Sequence, residues 1–212
     1  LVKNIMQGVR LSQISFPNGA VNFLPGSLRT DLCDNVQALS DGANASAATL
    51  QTIQINDGNG FCKSYTFNYS YFLGSNTTLP TTLTAGYSIN SDINRLRLDA
   101  VQESSCDASQ QVPPYKFTYY AGTIPRRLSF GVDHFGYYNG ADNGSNPNTG
   151  LIPTIYVDNT TIPGATRDAA FPAMMAGELT RIDYPTGGYN TFDFESNSGL
   201  VLQTQQSYVV LS

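Results

Sequence analysis

Ser64-Tyr65-Thr66-Phe67-Asn68-Tyr69-Ser70-Tyr71 sets an aromatic ring at every second position, with a small polar residue between each pair. Side chains of a strand alternate between its two faces, so this stretch predicts a β-strand with one apolar face and one wet face. Before it stand the turn residues Asn56-Asp57-Gly58-Asn59-Gly60 and, before those, Leu50-Gln51-Thr52-Ile53. Two apolar runs around a Gly/Asn turn read as a hairpin, here over residues 49–71. The same order recurs, with outgoing strands at Leu11–Ile14, Leu98–Val101 and Leu179–Ile182. Their returning strands carry Phe23, then Tyr115, Phe117 and Tyr119, then Phe192 and Phe194. Hairpins are therefore expected at about 9–24, 49–71, 95–120 and 178–195. The first and last look most alike, because Ile14-Ser-Phe-Pro-Asn-Gly19 aligns with Ile182-Asp-Tyr-Pro-Thr-Gly187.

One hairpin cannot bury an aromatic face alone, so successive copies are expected to stack and share a core. The expected fold is all-β: one domain over residues 1–212, of antiparallel hairpin repeats with one long loop-rich insertion at 121–177. A connecting strand is expected near Leu28–Leu32, a helical turn at Asn44–Ala48 and a loop over 74–92 holding Leu79, Leu83 and Tyr87. The insertion is expected to carry an apolar strand at Leu151–Val157 and a helical turn at Ala169–Ala176. Final strands are expected at Leu200–Leu202 and Tyr208–Leu211. The Leu-x-x-Ile spacing does not fit a regular strand, in which residues three apart face opposite ways. Either each copy carries a β-bulge there, or the leucine precedes the paired segment.

Charged residues make up only 13% of the 212, and polarity comes instead from Asn, Ser, Thr, Gln and Gly. This is the dress of a secreted β protein, with Thr and Ser on open faces and Gly and Asn in turns. The net charge is −5, and the 11 Lys and Arg are scattered apart from Arg126-Arg127 and the Arg95/Arg97 pair. A nucleic-acid partner needs a basic stripe, and none is present. No apolar run approaches the length of a membrane span. The opening Leu1-Val2-Lys3-Asn4-Ile5 already reads as strand and lacks the form of a signal peptide, so a fragment of a larger protein is expected.

Of three cysteines, Cys62 and Cys106 both lie at hairpin turns and are the candidate disulfide; the other reading is three unpaired small apolar residues, Cys33 included. Asp133-His134 joins an acid to the one histidine, either as a general base or as a structural anchor of the insertion. No Gly-x-Ser-x-Gly elbow supplies a nucleophile. Asp133, His134, Tyr137, Tyr138 and Asn139 are candidate ligand-binding residues, since tyrosine rings beside Asn and Asp suit a glycan. The other rings considered, Tyr69, Tyr71, Tyr119 and Tyr120, bind sugar or fill a core. Asp142, Asn143 and Asn146 crowd oxygens into a Gly-rich loop and are candidate Ca2+ ligands, although Asn and Gly in loops also serve turns. Glu178 with Asp183, and Asp193 with Glu195, are carboxylate pairs at outward strand positions, where a solvated face is expected.

Three stretches carry a family resemblance: Pro125–Gly140, Leu151-Ile-Pro-Thr154, and Gly177–Glu195 with its Tyr184-Pro-Thr-Gly-Gly188 turn. They resemble parts of very large surface or secreted proteins of Bacteroidota related to the Rhs/YD-repeat family. Where that repeat ends in Tyr-Asp, this chain has Tyr69-Ser70, Tyr119-Tyr120 and Phe194-Glu195. The resemblance implies hairpins winding into a hollow β shell around an enclosed segment, at the cell surface or outside it, and carries over no catalytic residue. The expected function is a non-catalytic structural module. Its partners would be neighbouring repeats of the same polypeptide, with weak homodimerisation through exposed edge strands. The alternatives are a glycan-binding or adhesive module on the Tyr-rich insertion and a hydrolase at Asp133 and His134.

Overall fold

The computed structural model of the chain describes residues 9–32, 47–74, 92–144 and 146–196. Cys33, Leu1–Ile5, most of Asn44–Ala48, most of the 74–92 loop with Leu79, Leu83 and Tyr87, and the Leu200–Leu202 and Tyr208–Leu211 stretches lie outside the described residues. Among the described residues there are ten strands: β1 (Gln13–Phe16), β2 (Gly19–Leu28), β3 (Ala48–Asn56), β4 (Cys62–Leu73), β5 (Asn94–Ser105), β6 (Tyr115–Tyr119), β7 (Ile155–Val157), β8 (Thr160–Ile162), β9 (Leu179–Asp183) and β10 (Tyr189–Thr191). Eight form one antiparallel sheet in the order β1-β2-β3-β4-β5-β6-β9-β10, and β7 pairs with β8 apart from it. Because the order follows the chain, each hairpin lies beside the next. Two helical turns, α1 (Pro147–Gly150) and α2 (Phe171–Met174), complete the insertion, and Pro172 sits at the start of α2 where its missing N–H costs nothing.

The junctions between hairpins obey one register. Phe23 of β2 faces Ile53 of β3, Phe67 of β4 faces Val101 of β5, and Phe117 of β6 faces Ile182 of β9. Two residues on, Pro25 faces Leu50, Tyr69 faces Leu98 and Tyr119 faces Leu179. One strand thus advances by two residues while its partner advances by three. Gln51, Asp99 and Thr180 are the extra residues, and the register shifts at each of these points. A bulge of this kind brings residues three apart onto one face, which resolves the Leu-x-x-Ile spacing. The first and fourth hairpins also match at their open ends, where Phe23 N–H donates to the Ser12 carbonyl (2.8 Å) and Phe192 N–H to the Thr180 carbonyl (2.9 Å).

Two of the bulges are capped by a tyrosine of the same hairpin. Tyr69 donates its hydroxyl to the Leu50 carbonyl (2.9 Å), and Tyr119 donates to the Leu98 carbonyl (2.7 Å). Burial pushes both phenols above the usual tyrosine range. Copies one and four have Pro25 and Phe194 at that place and lack the donor. Tyr119→Phe is expected to cost about 1 kcal/mol in urea unfolding, the worth of one part-buried hydrogen bond, with the m-value unchanged.

Glycine closes the first hairpin for a steric reason. Phe16 pairs with Gly19, and a Cβ on Gly19 would stand 2.1 Å from the Asn56 carbonyl oxygen of β3. The fourth hairpin differs despite its matching sequence. Asp183 pairs with Tyr189, and Tyr184 N–H donates to Gly188 (2.8 Å) around Gly187 at φ 91°. That left-handed residue takes up extra chain, so the alignment of copies one and four does not extend through the turn. The expected strand at Leu28–Leu32 is also corrected: β2 ends at Leu28, and the chain then bends to bring Asp31 against two arginines.

The two faces differ as the alternation requires. Opposed residues share a face, so Phe23, Ile53, Tyr65, Phe67, Tyr69, Val101, Phe117, Tyr119 and Ile182 line one side, and Asn22, Gln54, Thr66, Gln102, Thr118 and Arg181 the other. Arg97 lies over the rings of Phe72 and Tyr119, and Phe72 meets Tyr119 edge-on at 5.2 Å. None of the nine apolar residues named is fully buried; the buried apolar residues among those described are Ala100, Ala165 and Met175. Contacts between described elements run from each strand to its sheet neighbour. Among the described residues, the aromatic face is therefore only half covered.

At the other end of the β4–β5 junction, Cys62 stands opposite Cys106, one step beyond the Lys63–Ser105 pair. The two form a disulfide with Cα atoms 5.4 Å apart, and Cys106 N–H donates to the Cys62 carbonyl (3.3 Å). Beside it Lys63 and Glu103 pair at 2.7 Å.

Candidate functional site

The insertion between β6 and β9 is built from short polar turns, and its most buried side chain is Asp133, 2% exposed. Its Oδ1 accepts the N–H of Phe135 (2.8 Å) and of Tyr137 (2.9 Å), while its own N–H donates to the Tyr137 carbonyl (2.8 Å). Gly136, at φ 93°, supplies the left-handed residue that lets the chain return. The turn of the second hairpin is built in the same way. Asp57 Oδ1 accepts the N–H of Asn59 (2.9 Å) and Phe61 (3.0 Å), Asp57 N–H donates to the Phe61 carbonyl (3.2 Å), and Gly60 lies at φ 107°. Asp-x-x-Gly-aromatic is thus a turn device of this chain, used once at the surface and once buried.

The neighbouring candidates converge on residues 165–168. Asn139 donates to the carbonyls of Thr166 (2.8 Å) and Asp168 (3.1 Å), and its Oδ1 accepts from Ala141 N–H (3.2 Å). Asn143 donates to Phe130 (2.8 Å) and Thr166 (3.0 Å) carbonyls and accepts the Thr166 N–H (2.9 Å). Arg167 answers from the other side, donating to the carbonyls of Leu151 (2.8 Å) and Asp133 (2.6 Å). So Asp133, Asn139 and Asn143 spend their polar atoms on backbone, each satisfying groups that a loop would otherwise bury unpaired.

The remaining candidates lie outside that knot. His134 is exposed, and its N–H donates to the Arg167 carbonyl (3.2 Å). Tyr138 is half-buried in a bridge with Val132. Tyr137 is 57% exposed, and Phe135 and Tyr156 stand out further, at 82% and 79%. An open cleft of about 320 Å³ runs between His134, Thr154, Tyr156, Arg167 and Asp168. Tyr156 belongs to a hairpin that sequence reading missed: the expected strand at Leu151–Val157 is formed only over Ile155–Val157, which turns back on Thr160–Ile162. Asp158 and Asn159, at φ 46° and 58°, make this turn without glycine. Both central residues are left-handed, as a tight hairpin requires.

Of the proposed Ca2+ ligands, Asp142 and Asn146 are exposed, and Asn143 is committed to the backbone as described. No group of three or more His, Cys, Asp or Glu positioned for a metal occurs among the described residues. At the turn of the third hairpin, Asp107 is held in its charged form. Hydrogen bonds from the Ser105 hydroxyl (2.5 Å), the Ser109 N–H (3.1 Å) and the Ser109 hydroxyl (2.8 Å) lower its pKa to about 2. A carboxyl NMR titration is expected to place Asp107 at about 2, and Ser105→Ala to raise its value.

Ion pairs fasten the insertion to the sheet. Arg29 grips Asp31 with two bonds (2.9 and 2.7 Å), and Arg127, at the start of the insertion, reaches the same carboxylate at 2.9 Å. Its neighbour Arg126 pairs with Asp92 at 3.6 Å, both being buried. Arg95 of β5 donates to the Pro125 carbonyl (3.1 Å). The Arg126-Arg127 pair is visible in sequence; its acidic partners, Asp92 at 34 residues from Arg126 and Asp31 at 96 residues from Arg127, are not. The Tyr71 hydroxyl accepts the Thr30 N–H (3.1 Å) and completes the contact. Comparison with known protein families, with characterised proteins and with solved structures finds no match to this chain.

Proposed function

We propose that the chain is a non-catalytic structural module of a large exported bacterial protein, forming part of a hairpin-repeat β shell or stalk. The observation that carries this reading is the register common to three junctions, joined to an aromatic face that stays half exposed. Such a face, eight strands wide, is a surface built to be covered, since isolated domains rarely leave large apolar patches open. The disulfide supports an oxidising, extracytoplasmic setting. Residues at the insertion spend their polar atoms on backbone, which suits a clamp better than a reaction centre. In the parent polypeptide the rings of Phe23, Tyr65 and Phe67 are expected to be shielded from hydroxyl-radical labelling relative to the isolated chain. Equal labelling in both would remove the reading.

A second reading is favoured by Tyr137 and Tyr156, the exposed rings near the His134 cleft. Stacking on a sugar would make the insertion an adhesive surface. A glycan array tests it: a hit abolished by Tyr137→Ala or Tyr156→Ala supports it, and silence across the array removes it.

A further inference from the structure

The sheet ends on two edges that match each other. At every internal junction a returning strand offers Phe and the residue two places on, and the next outgoing strand offers Ile or Val and the Leu three places before it. β10 and the residues after it offer Phe192 and Phe194 in this order, and β1 with the residues before it offers Ile14 and Leu11. Among the described residues neither edge is paired on its outer side. All four side chains are exposed: Phe192 40%, Phe194 44%, Ile14 47% and Leu11 56%. Sheet edges that must stay single are usually blunted by Lys, Pro or an inward charge. Gln13–Phe16 and Tyr189–Thr191 contain none of these.

We infer that the β10 edge of one molecule receives the β1 edge of a second copy, with Phe192 opposite Ile14 and Phe194 opposite Leu11. The internal junctions fix both direction and register: antiparallel, with Ser12 as the bulged residue, the place held by Gln51, Asp99 and Thr180 inside the chain. Thr191 then lies opposite Ser15 on the polar face, as Asn22 lies opposite Gln54 and Thr66 opposite Gln102. The contact joins two different edges, so it is head-to-tail and leaves a free edge for a further copy. It extends the aromatic face by eight strands per copy. This inference rests on the repeat-module reading, yet the two fail separately, since shielding in a parent polypeptide needs no contact between copies.

The test uses the full chain with Cys33→Ser, carrying either Ser15→Cys or Thr191→Cys, both at exposed polar positions that leave the apolar face intact. Mixing the two under mild oxidation is expected to give a covalent dimer at least tenfold faster than either alone. Gln13→Cys mixed with Thr191→Cys, two residues out of register, is expected to cross-link at the background rate. Light scattering on the unsubstituted chain is expected to show a mass that rises with concentration past that of a dimer. A cross-link of Ser15→Cys with itself at the mixed rate, a bond formed within one molecule carrying both cysteines, or a mass fixed at one chain across the range would each overturn the inference.

Discussion

Removing the Cys62–Cys106 bridge is expected to lower the stability of the chain by about 4 kcal/mol and its melting temperature by roughly 8–16 °C. The bridge spans a sequence separation of 44. A cross-link of that span removes loop entropy from the unfolded chain, and the size of the effect follows from the length enclosed. The folded state loses less, because the Cys106 N–H bond to Cys62 and the Lys63–Glu103 pair still hold the two strands in register. A Cys62→Ala/Cys106→Ala variant should therefore keep its far-ultraviolet circular dichroism at 20 °C and unfold at lower urea. A loss below about 1 kcal/mol would mean that the unfolded chain already brings these hairpins together.

Asp31→Asn is expected to cost about 2–3 kcal/mol and to release the insertion from the sheet. Removing one member of a buried ion pair commonly costs 3–5 kcal/mol; the lower figure applies because Arg29 and Arg127 are about a third exposed and regain water. Burial alone would push the Asp31 carboxyl up. The hydrogen bond and charge of Arg29, the Leu96 N–H and the charge of Arg127 outweigh it and hold the pKa below the ordinary aspartate value. A carboxyl whose pKa is depressed by folding adds stability above its unfolded pKa, near 3.9, and that stability is lost as pH falls through the lower folded value. The native chain is thus expected to lose stability below about pH 4, and Asp31→Asn to flatten that part of the profile. An unchanged acid limb in the variant would place the linkage on other carboxylates.

The antiparallel strands were legible because alternation and turn residues are local. Tyr65, Phe67 and Tyr69 declare a strand with one apolar face, and Pro17-Asn18-Gly19 declares a turn. Where the bulge falls was not legible, because a bulge is a relation between two strands: Gln51 is extra only against Leu24 and Pro25. The Leu-x-x-Ile spacing carried the signal and left two readings open. The β7–β8 hairpin escaped notice because Asp158-Asn159 turns without the glycine that marks most such turns. At the insertion, Asp133, Asn139 and Asn143 stood out as polar residues in a Gly-rich setting, but Asn139 and Asn143 reach backbone groups of Phe130, Thr166 and Asp168 that no spacing announces. The match between Asp57-x-x-Gly60-Phe61 and Asp133-x-x-Gly136-Tyr137 was on view in the sequence and is the signal that marks Asp133 as a turn residue. Asp31 and Asp92 gave no sign of meeting Arg127 and Arg126, since that contact depends on how the sheet brings distant strand ends together.

A map of backbone nuclear Overhauser effects across the sheet of the full chain tests the central claim most directly. The common register predicts cross-strand contacts of Phe23 with Ile53, Phe67 with Val101 and Phe117 with Ile182, and again of Pro25 with Leu50, Tyr69 with Leu98 and Tyr119 with Leu179. A continuous register at any junction, such as Tyr69 opposite Asp99 or Tyr119 opposite Thr180, would contradict it.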